Sequence, residues 1–524
     1  GQSRAEAQVQ RGPVSISTSV MPASSTVRGV SRSLSRRAVL GGAVAGLVSA
    51  CTSTSPPTGS PSPSVSPRPS PIRKLEDLLE GRVLRRATPG IGAVAQLYNP
   101  RYDGRELPDV IAQVASAEDV AACVRWATET GTPLHVRSGG HSYGGWSSGP
   151  GLVVDLRALN AVDVTRSTAR IGGGALLAPT YAGLAAKGHA VAAGSCPTVG
   201  LSGLALGGGV GVLTRAYGLT CDAVRGATVV TADGRIRTAD RDLLWALKGG
   251  GGSFGIVTSW SLDLQPAPKV VTFYLAWPLD HAEQVLDAWQ KWAPTADKQL
   301  WTTCKLLVSR DRQRVLVAGT WIGPPTHLAA QVTPFIRSAG KPASRFSQVR
   351  SYQDAMLFEA GCSGLTTTSC VAASLKAPKR QPFAATSLIL SALLTDVDAV
   401  AAAARRAAAV PGLAEGGISF DALGGAVDAV GPTDTAFPWR NALATVQVTA
   451  TWDSGPSTPY DEYVRSVRRD LLPVLGPGAY SNYADPSIEE YGTAYWATNY
   501  PRLQQVKRSL DPHDLFSWPQ AVKA

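Results

Sequence analysis

Charge is scarce in this sequence. Only 17% of its 524 residues are Asp, Glu, Lys or Arg, against 44% hydrophobic ones, a balance that excludes a solvated, disordered chain and points to a globular protein. The net charge is +11, yet six arginines (Arg4, Arg11, Arg28, Arg32, Arg36 and Arg37) face the single acid Glu6 within residues 1–51. Nearly half of the excess therefore sits in the leading segment. The remainder is spread without a long Lys/Arg run, which argues against nucleic-acid binding. Cysteine is sparse, seven in all, and no C-x-x-C occurs, so no metal site is expected. No G-x-x-x-x-G-K-[ST] phosphate loop is present.

What is abundant is glycine (53) and proline (37), which implies many turns. The length suggests two domains once the ends are trimmed. "SRRAVLGGAVAGLVSAC" (35–51) sets paired arginines before a short, Gly/Ala-rich apolar run and ends on small residues before a cysteine. It reads as an export signal, too short and too weakly apolar to be a spanning helix. Ser35, Arg36 and Arg37 resemble a twin-arginine signal, and "VSAC" resembles a lipobox with Cys51 as the lipidated residue; Met21 is a candidate start. Seven Pro and seven Ser among residues 52–71 make a tether that cannot bury a core. Two arrangements follow, an enzyme lipid-anchored at the outer face of a membrane and a cleaved, secreted one. Membrane association is expected only through that anchor. Cys362 and Cys370 are close enough in sequence to form a disulfide in an oxidising compartment.

From residue 72 the chain reads as mixed helix and strand. "SAEDVAACVRWATETG" (116–131) has a Ser cap, early acids, apolar Val120, Val124 and Ala127, and a Gly stop, and so predicts a helix. Short strands are predicted within 132–141, 151–160 and 168–173, and a hairpin turns through Asp233-Gly234. Longer strand-like runs such as "ALATVQVTATW" (442–452) and an Ala-rich helix at 397–409 predict a sheet covered by helices in the later part. "WTTCKLLV" (301–308) and "FPWRNAL" (437–443) supply aromatics that either line a cleft or fill the core.

Two glycine-rich segments stand out. "VRSGGHSYGG" (136–145) surrounds one histidine with glycine and serine, and "GSCPTVGLSGLALGGGVGVLTRAYG" (194–218) surrounds one cysteine. Glycines allow backbone N–H groups to approach an anion closely. Together the pair suggests two backbone cradles for one elongated, phosphate-bearing cofactor.

"RSGGHSY" (137–143), "CPTVGLSGLALGGGVG" (196–211), "DLLWALKGGGGSFGIVTSW" (242–260) and "YWATNYPRLQQVKRSLDPHDLF" (495–516), in this order, resemble the berberine-bridge-enzyme-like FAD-linked oxidases. The likeness covers roughly residues 92–520. It implies an α+β fold of the vanillyl-alcohol-oxidase, PCMH-type class: an FAD-binding domain in two subdomains (72–265), a substrate domain with an antiparallel sheet covered by helices (266–485), and a C-terminal segment (486–524) that completes the FAD domain.

The resemblance also implies roles. His141 bonds the flavin 8α-methyl through a ring nitrogen and Cys196 bonds C6, giving a bicovalent FAD. Ser138, Gly139, Gly140 and His141 offer backbone donors to the pyrophosphate, and the matched motifs extend the cofactor-binding set to Arg137, Ser142, Val199, Gly200, Gly203, Gly208, Gly211, Gly255, Ile256, Val257 and Asn499. Val199 lies near flavin C4a and bears on oxygen access. "YSNYAD" (480–485) matches the family's Y-x-N-Y motif, so Tyr483 is the expected base, with Tyr480 the alternative and Tyr143 orienting the substrate. The implied reaction moves hydride from an alcohol, sugar or similar C–H donor to flavin N5, with O₂ as acceptor and H₂O₂ as product. A dehydrogenase with another acceptor, an oxidative cyclase and a non-catalytic flavin-binding protein are the alternatives. The expected partner is a small molecule, and the expected state a monomer or homodimer.

Overall fold

The structure is a computed structural model that describes residues 71–376 and 379–524. The export segment, Cys51 and the tether up to residue 70 lie outside the described residues. The predicted helix forms at Ala117–Thr130. The Ser116 hydroxyl accepts from the Asp119 amide, and Gly131 ends the helix with φ +65°, where a Cβ would be strained. Its apolar stripe is buried against a four-stranded sheet.

That sheet has the order Arg82–Arg85, Val110–Gln113, Leu152–Asp155, Leu134–Arg137. The first pair is antiparallel and the other two are parallel. Its last strand ends at Arg137 and delivers the chain into the His141 loop. A second, five-stranded antiparallel sheet has the order Val162–Thr165, Thr168–Gly172, Ile256–Asp263, Val224–Val230, Ile236–Thr238. The predicted hairpin is its outermost pair, with Gly234 at φ +69°.

Residues 270–452 build a seven-stranded antiparallel sheet in the order Ser344–Arg350, Val270–Pro278, Gln313–Trp321, Leu300–Ser309, Leu413–Ala422, Ala444–Trp452, Phe383–Leu390. Alternation along these strands decides which side is dry. Val446, Val448, Ile418, Phe420, Cys304 and Leu306 pack under the helices Ala282–Trp292, Leu328–Ala339, Val397–Arg405 and Thr458–Leu475. The intervening residues face the other way and form a polar row across four strands, Lys305–Ser419–Gln447–Ser387, by the strand register.

Residues after 479 return to the first part of the chain. Trp496 Nε1 donates to the Gly249 carbonyl at 3.0 Å, and Lys507 Nζ donates to the Ser253 carbonyl at 3.0 Å while pairing with Asp511 at 2.6 Å. These three sheets, a two-stranded pair of His189–Ala190 with Gln265–Pro266 and this returning segment give the α+β architecture. Cys362 and Cys370 form a disulfide.

Candidate active site

One cavity runs between the two glycine loops and ends at the polar face of the seven-stranded sheet. Its wall includes Ser138, Gly139, Gly140, His141, Ser142 and Tyr143 from the first loop; Cys196, Val199, Gly200 and Gly203 from the second; Gly255, Ile256 and Val257; and Tyr480 and Tyr483. The loops abut. A Cβ on Gly139 would lie 2.2 Å from the Gly200 nitrogen, and one on Gly200 would lie 2.2 Å from Ser138 Oγ. Glycine is thus required by backbone contact at these two positions. Gly203 differs, because a Cβ there meets no protein atom within 4 Å. Bare backbone facing a long cavity suits the close approach of an extended, anionic cofactor.

His141 lies at the cavity wall with Nε2 2.9 Å from Thr198 Oγ1. Burial lowers its pKa to about 3, so the ring is neutral. The ring stacks on Tyr98, centroids 3.9 Å apart. Cys196 is buried on the same wall and shares a hydrogen bond with the Tyr98 side chain.

Tyr143 and Tyr483 stack at the sheet end of the cavity, centroids 5.6 Å apart. The Tyr143 oxygen accepts from Gln447 Nε2 at 2.6 Å, and the Tyr483 hydroxyl donates to Asp421 Oδ2 at 3.4 Å. Burial, then the charges of Asp421 and Tyr143, raises the Tyr483 pKa well above that of a free phenol. Burial also raises Asp421, partly offset by Lys305 and by the hydroxyls of Thr303 and Tyr483. Behind this pair, Glu359 is pushed up to about 8 by burial, against the pull of Lys305 and Arg350.

Tyr480 is differently used. Its oxygen accepts from the amides of Gly209 (3.0 Å) and Val210 (3.1 Å) and from Asn482 Nδ2 (2.8 Å), and burial pushes its pKa up to about 12. It pins the second glycine loop to the returning C-terminal segment.

Four residues of the expected cofactor set stand outside the cavity wall. Arg137 is buried in an ion pair with Asp155 at 2.8 Å. Gly208, at φ +108°, passes against Phe437, and a Cβ on Gly211 would strike the Ala193 carbonyl. Asn499 donates to the carbonyls of Pro432, Thr435 and Ala436. These four shape the loops. Of the aromatics of 301–308 and 437–443, Trp301 and Phe437 are core, Phe437 packing on Tyr480, while Trp439 is half-buried and donates to the Ala479 carbonyl.

Asp421, Gln447 and Tyr98 escaped the sequence reading. Asp421 carried a signal, an acid between the apolar Phe420 and Ala422 in a strand buried along its length. Tyr98 carried none, since its partners lie far along the chain.

Fold and cavity together define a nucleotide-cofactor enzyme built on two abutting glycine loops. Residues 108–240 match the FAD binding domain family, and residues 479–523 match the berberine and berberine-like family. The FAD-linked oxidoreductase YvdP of Bacillus subtilis is 32% identical over 459 residues, covering 85% of this chain and 98% of the relative. The (R)-6-hydroxynicotine oxidase of Paenarthrobacter nicotinovorans is 30% identical over 468 residues, 84% of this chain and 95% of the relative. Among solved structures, chitooligosaccharide oxidase superposes with a TM-score of 0.78 at 25% identity, covering 86% of this chain and 99% of that one. The chain belongs to the berberine-bridge-enzyme-like family and is an FAD-linked oxidoreductase.

Proposed function

We propose that this enzyme is an oxidase holding FAD through both His141 and Cys196 and oxidising the CH–OH group of an alcohol or sugar. The observation that carries the reading is a single cavity whose wall holds His141 and Cys196 together with the Tyr143–Tyr483 pair, which Gln447 and Asp421 back. When bound, FAD supplies the hydride acceptor at N5 and passes the electrons to O₂, yielding H₂O₂.

Tyr483 takes the hydroxyl proton of the donor and passes its own to Asp421. A phenol this buried is not ionised at neutral pH, so the proton the donor gives up as its hydride leaves is relayed through Tyr483 and finally held by the Asp421 carboxylate. Tyr480, with its oxygen already accepting from three N–H groups, does not compete for this role. Tyr143, fixed by Gln447, orients the donor. Relatives named glucooligosaccharide oxidase of Sarocladium strictum and chitooligosaccharide oxidase of Gibberella zeae support a sugar or similar alcohol as donor. Val199 on the wall is compatible with oxygen access. The Cys362–Cys370 disulfide supports export to an oxidising compartment.

The test is made on purified protein. Acid precipitation should leave the yellow chromophore on the polypeptide; a panel of sugars and alcohols should bleach it without oxygen, and air should restore it with H₂O₂. Release of all flavin by acid sinks covalent attachment. Bleaching that air does not reverse makes the enzyme a dehydrogenase with another acceptor, and a product of altered ring count makes it an oxidative cyclase.

A further inference from the structure

Tyr98 joins three points of the cofactor wall. Its backbone N–H donates to the Gly140 carbonyl at 3.0 Å, one residue before His141. Its ring lies on the His141 imidazole at 3.9 Å with planes 15° from parallel. Its hydroxyl hydrogen-bonds to Cys196, in the sense that the phenol donates to sulfur. Tyr98 is itself held by the far domain: Arg380 Nε and Nη2 donate to the Leu97 carbonyl at 2.9 and 2.6 Å, and Asn99 Nδ2 donates to the Phe383 carbonyl at 2.9 Å.

We infer that Tyr98 is the positioning residue for flavin attachment, its ring setting the plane of the His141 imidazole and its hydroxyl activating the Cys196 sulfur. The inference rests on the covalent-FAD reading above. Thr198 engages Nε2 of His141, which leaves Nδ1 as the nitrogen that bonds. The ring is neutral and therefore nucleophilic. Cysteine reacts as the thiolate, and a phenol donating to sulfur favours that form.

Each attachment balances in the same way. His141 Nδ1 replaces one hydrogen of the 8α-methyl, and Cys196 Sγ replaces the hydrogen on C6. In each case the incoming N–H or S–H and the displaced C–H are lost as two protons. Two electrons pass to the ring system and from there to O₂, which leaves as one H₂O₂ per bond.

The experiment uses the full chain, expressed with flavin available, as wild type, Tyr98→Phe and Tyr98→Leu. Tryptic digestion and mass spectrometry score flavin on the His141 peptide, on the Cys196 peptide, or joining both. Wild type should give the joined pair. Tyr98→Phe keeps the ring, so the His141 bond should remain at the wild-type level. Its Cys196 bond should fall about tenfold or more, the effect of one unit in thiol pKa, with Cys196 open to alkylation by iodoacetamide. Incubating purified Tyr98→Phe in air at pH 9 should restore the missing bond, because alkali supplies the thiolate that the phenol no longer favours. Tyr98→Leu, with neither ring nor hydroxyl, should lower both bonds.

A joined-pair fraction in Tyr98→Phe equal to wild type overturns the role of the hydroxyl. A Tyr98→Phe deficit that pH 9 does not repair overturns it in favour of a merely structural residue. Wild-type protein without covalent flavin is a separate failure, which removes the covalent reading and this inference with it.

Discussion

A phenol packed against a buried carboxylate has two titrations to obey. If Asp421 receives the proton that Tyr483 passes on, activity requires Asp421 ionised. Its pKa is raised by burial, so kcat/KM should fall as pH drops through that raised value. Asp421→Asn should remove this acid limb and lower the rate at every pH. Tyr483→Phe should cost about 10²–10⁴-fold in kcat, the range for losing a positioned proton acceptor, while leaving bound flavin at the wild-type level; steady-state rates on any donor found by the panel check both. Glu359 makes a different prediction. Its pKa is raised from 4.5 to about 8, so the protonated form suits the fold. The stability this gives is whole below pH 4.5 and is lost as pH rises through 8. Melting temperature should therefore decline more steeply between pH 5 and 8.5 in wild type than in Glu359→Gln, with both measured in one buffer series. Equal slopes would assign the decline to other groups.

At the scale of loops and strands, the two glycine positions separate packing from cofactor binding. Gly200→Ala places a Cβ 2.2 Å from Ser138 Oγ and 2.4 Å from the Gly139 nitrogen, so the loops must part and the purified protein should be both less stable and free of flavin. Gly203→Ala meets no protein atom within 4 Å. It should melt like wild type and still hold less flavin, a combination that only an occupant of the cavity explains. Reducing the Cys362–Cys370 disulfide opens a short loop and should cost about 2–3 kcal/mol, measured by denaturant unfolding with and without reductant.

Much at this scale was legible in the sequence. Ser116 and Gly131 bracketed a helix as capping chemistry requires, and Asp233-Gly234 marked its hairpin. The two glycine loops and the positions of His141 and Cys196 were legible as motifs. Gln447 was not, because a glutamine in an alternating strand looks the same whether it faces solvent or a site. The family resemblance put Tyr483 ahead of Tyr480 in "YSNYAD", but the physical ground for that order was not legible in the sequence. Their difference lies in partners far along the chain, the Gly209 and Val210 amides for one and Asp421 for the other.

At the scale of the whole molecule, the site depends on residues at both ends of the folded part. Lys507 is buried and tied to the Ser253 and Phe516 carbonyls as well as Asp511. Lys507→Met leaves Asp511 buried without its partner, a loss of about 3–5 kcal/mol by precedent for broken buried pairs. Since Ser253 sits beside Gly255 on the cavity wall, the variant should also purify with less flavin. Normal flavin content at reduced stability would uncouple the two.

The returning C-terminal segment has a consequence in time. His141 leaves the ribosome 342 residues before Tyr483 (483 − 141), a wait of about 17–70 s at ordinary synthesis rates of roughly 5–20 residues per second. Through that interval the first cradle exists without its far wall. A chain that stops before the returning segment lacks that wall of the cavity and should purify without flavin, as the absorbance of a chain ended at residue 478 would report.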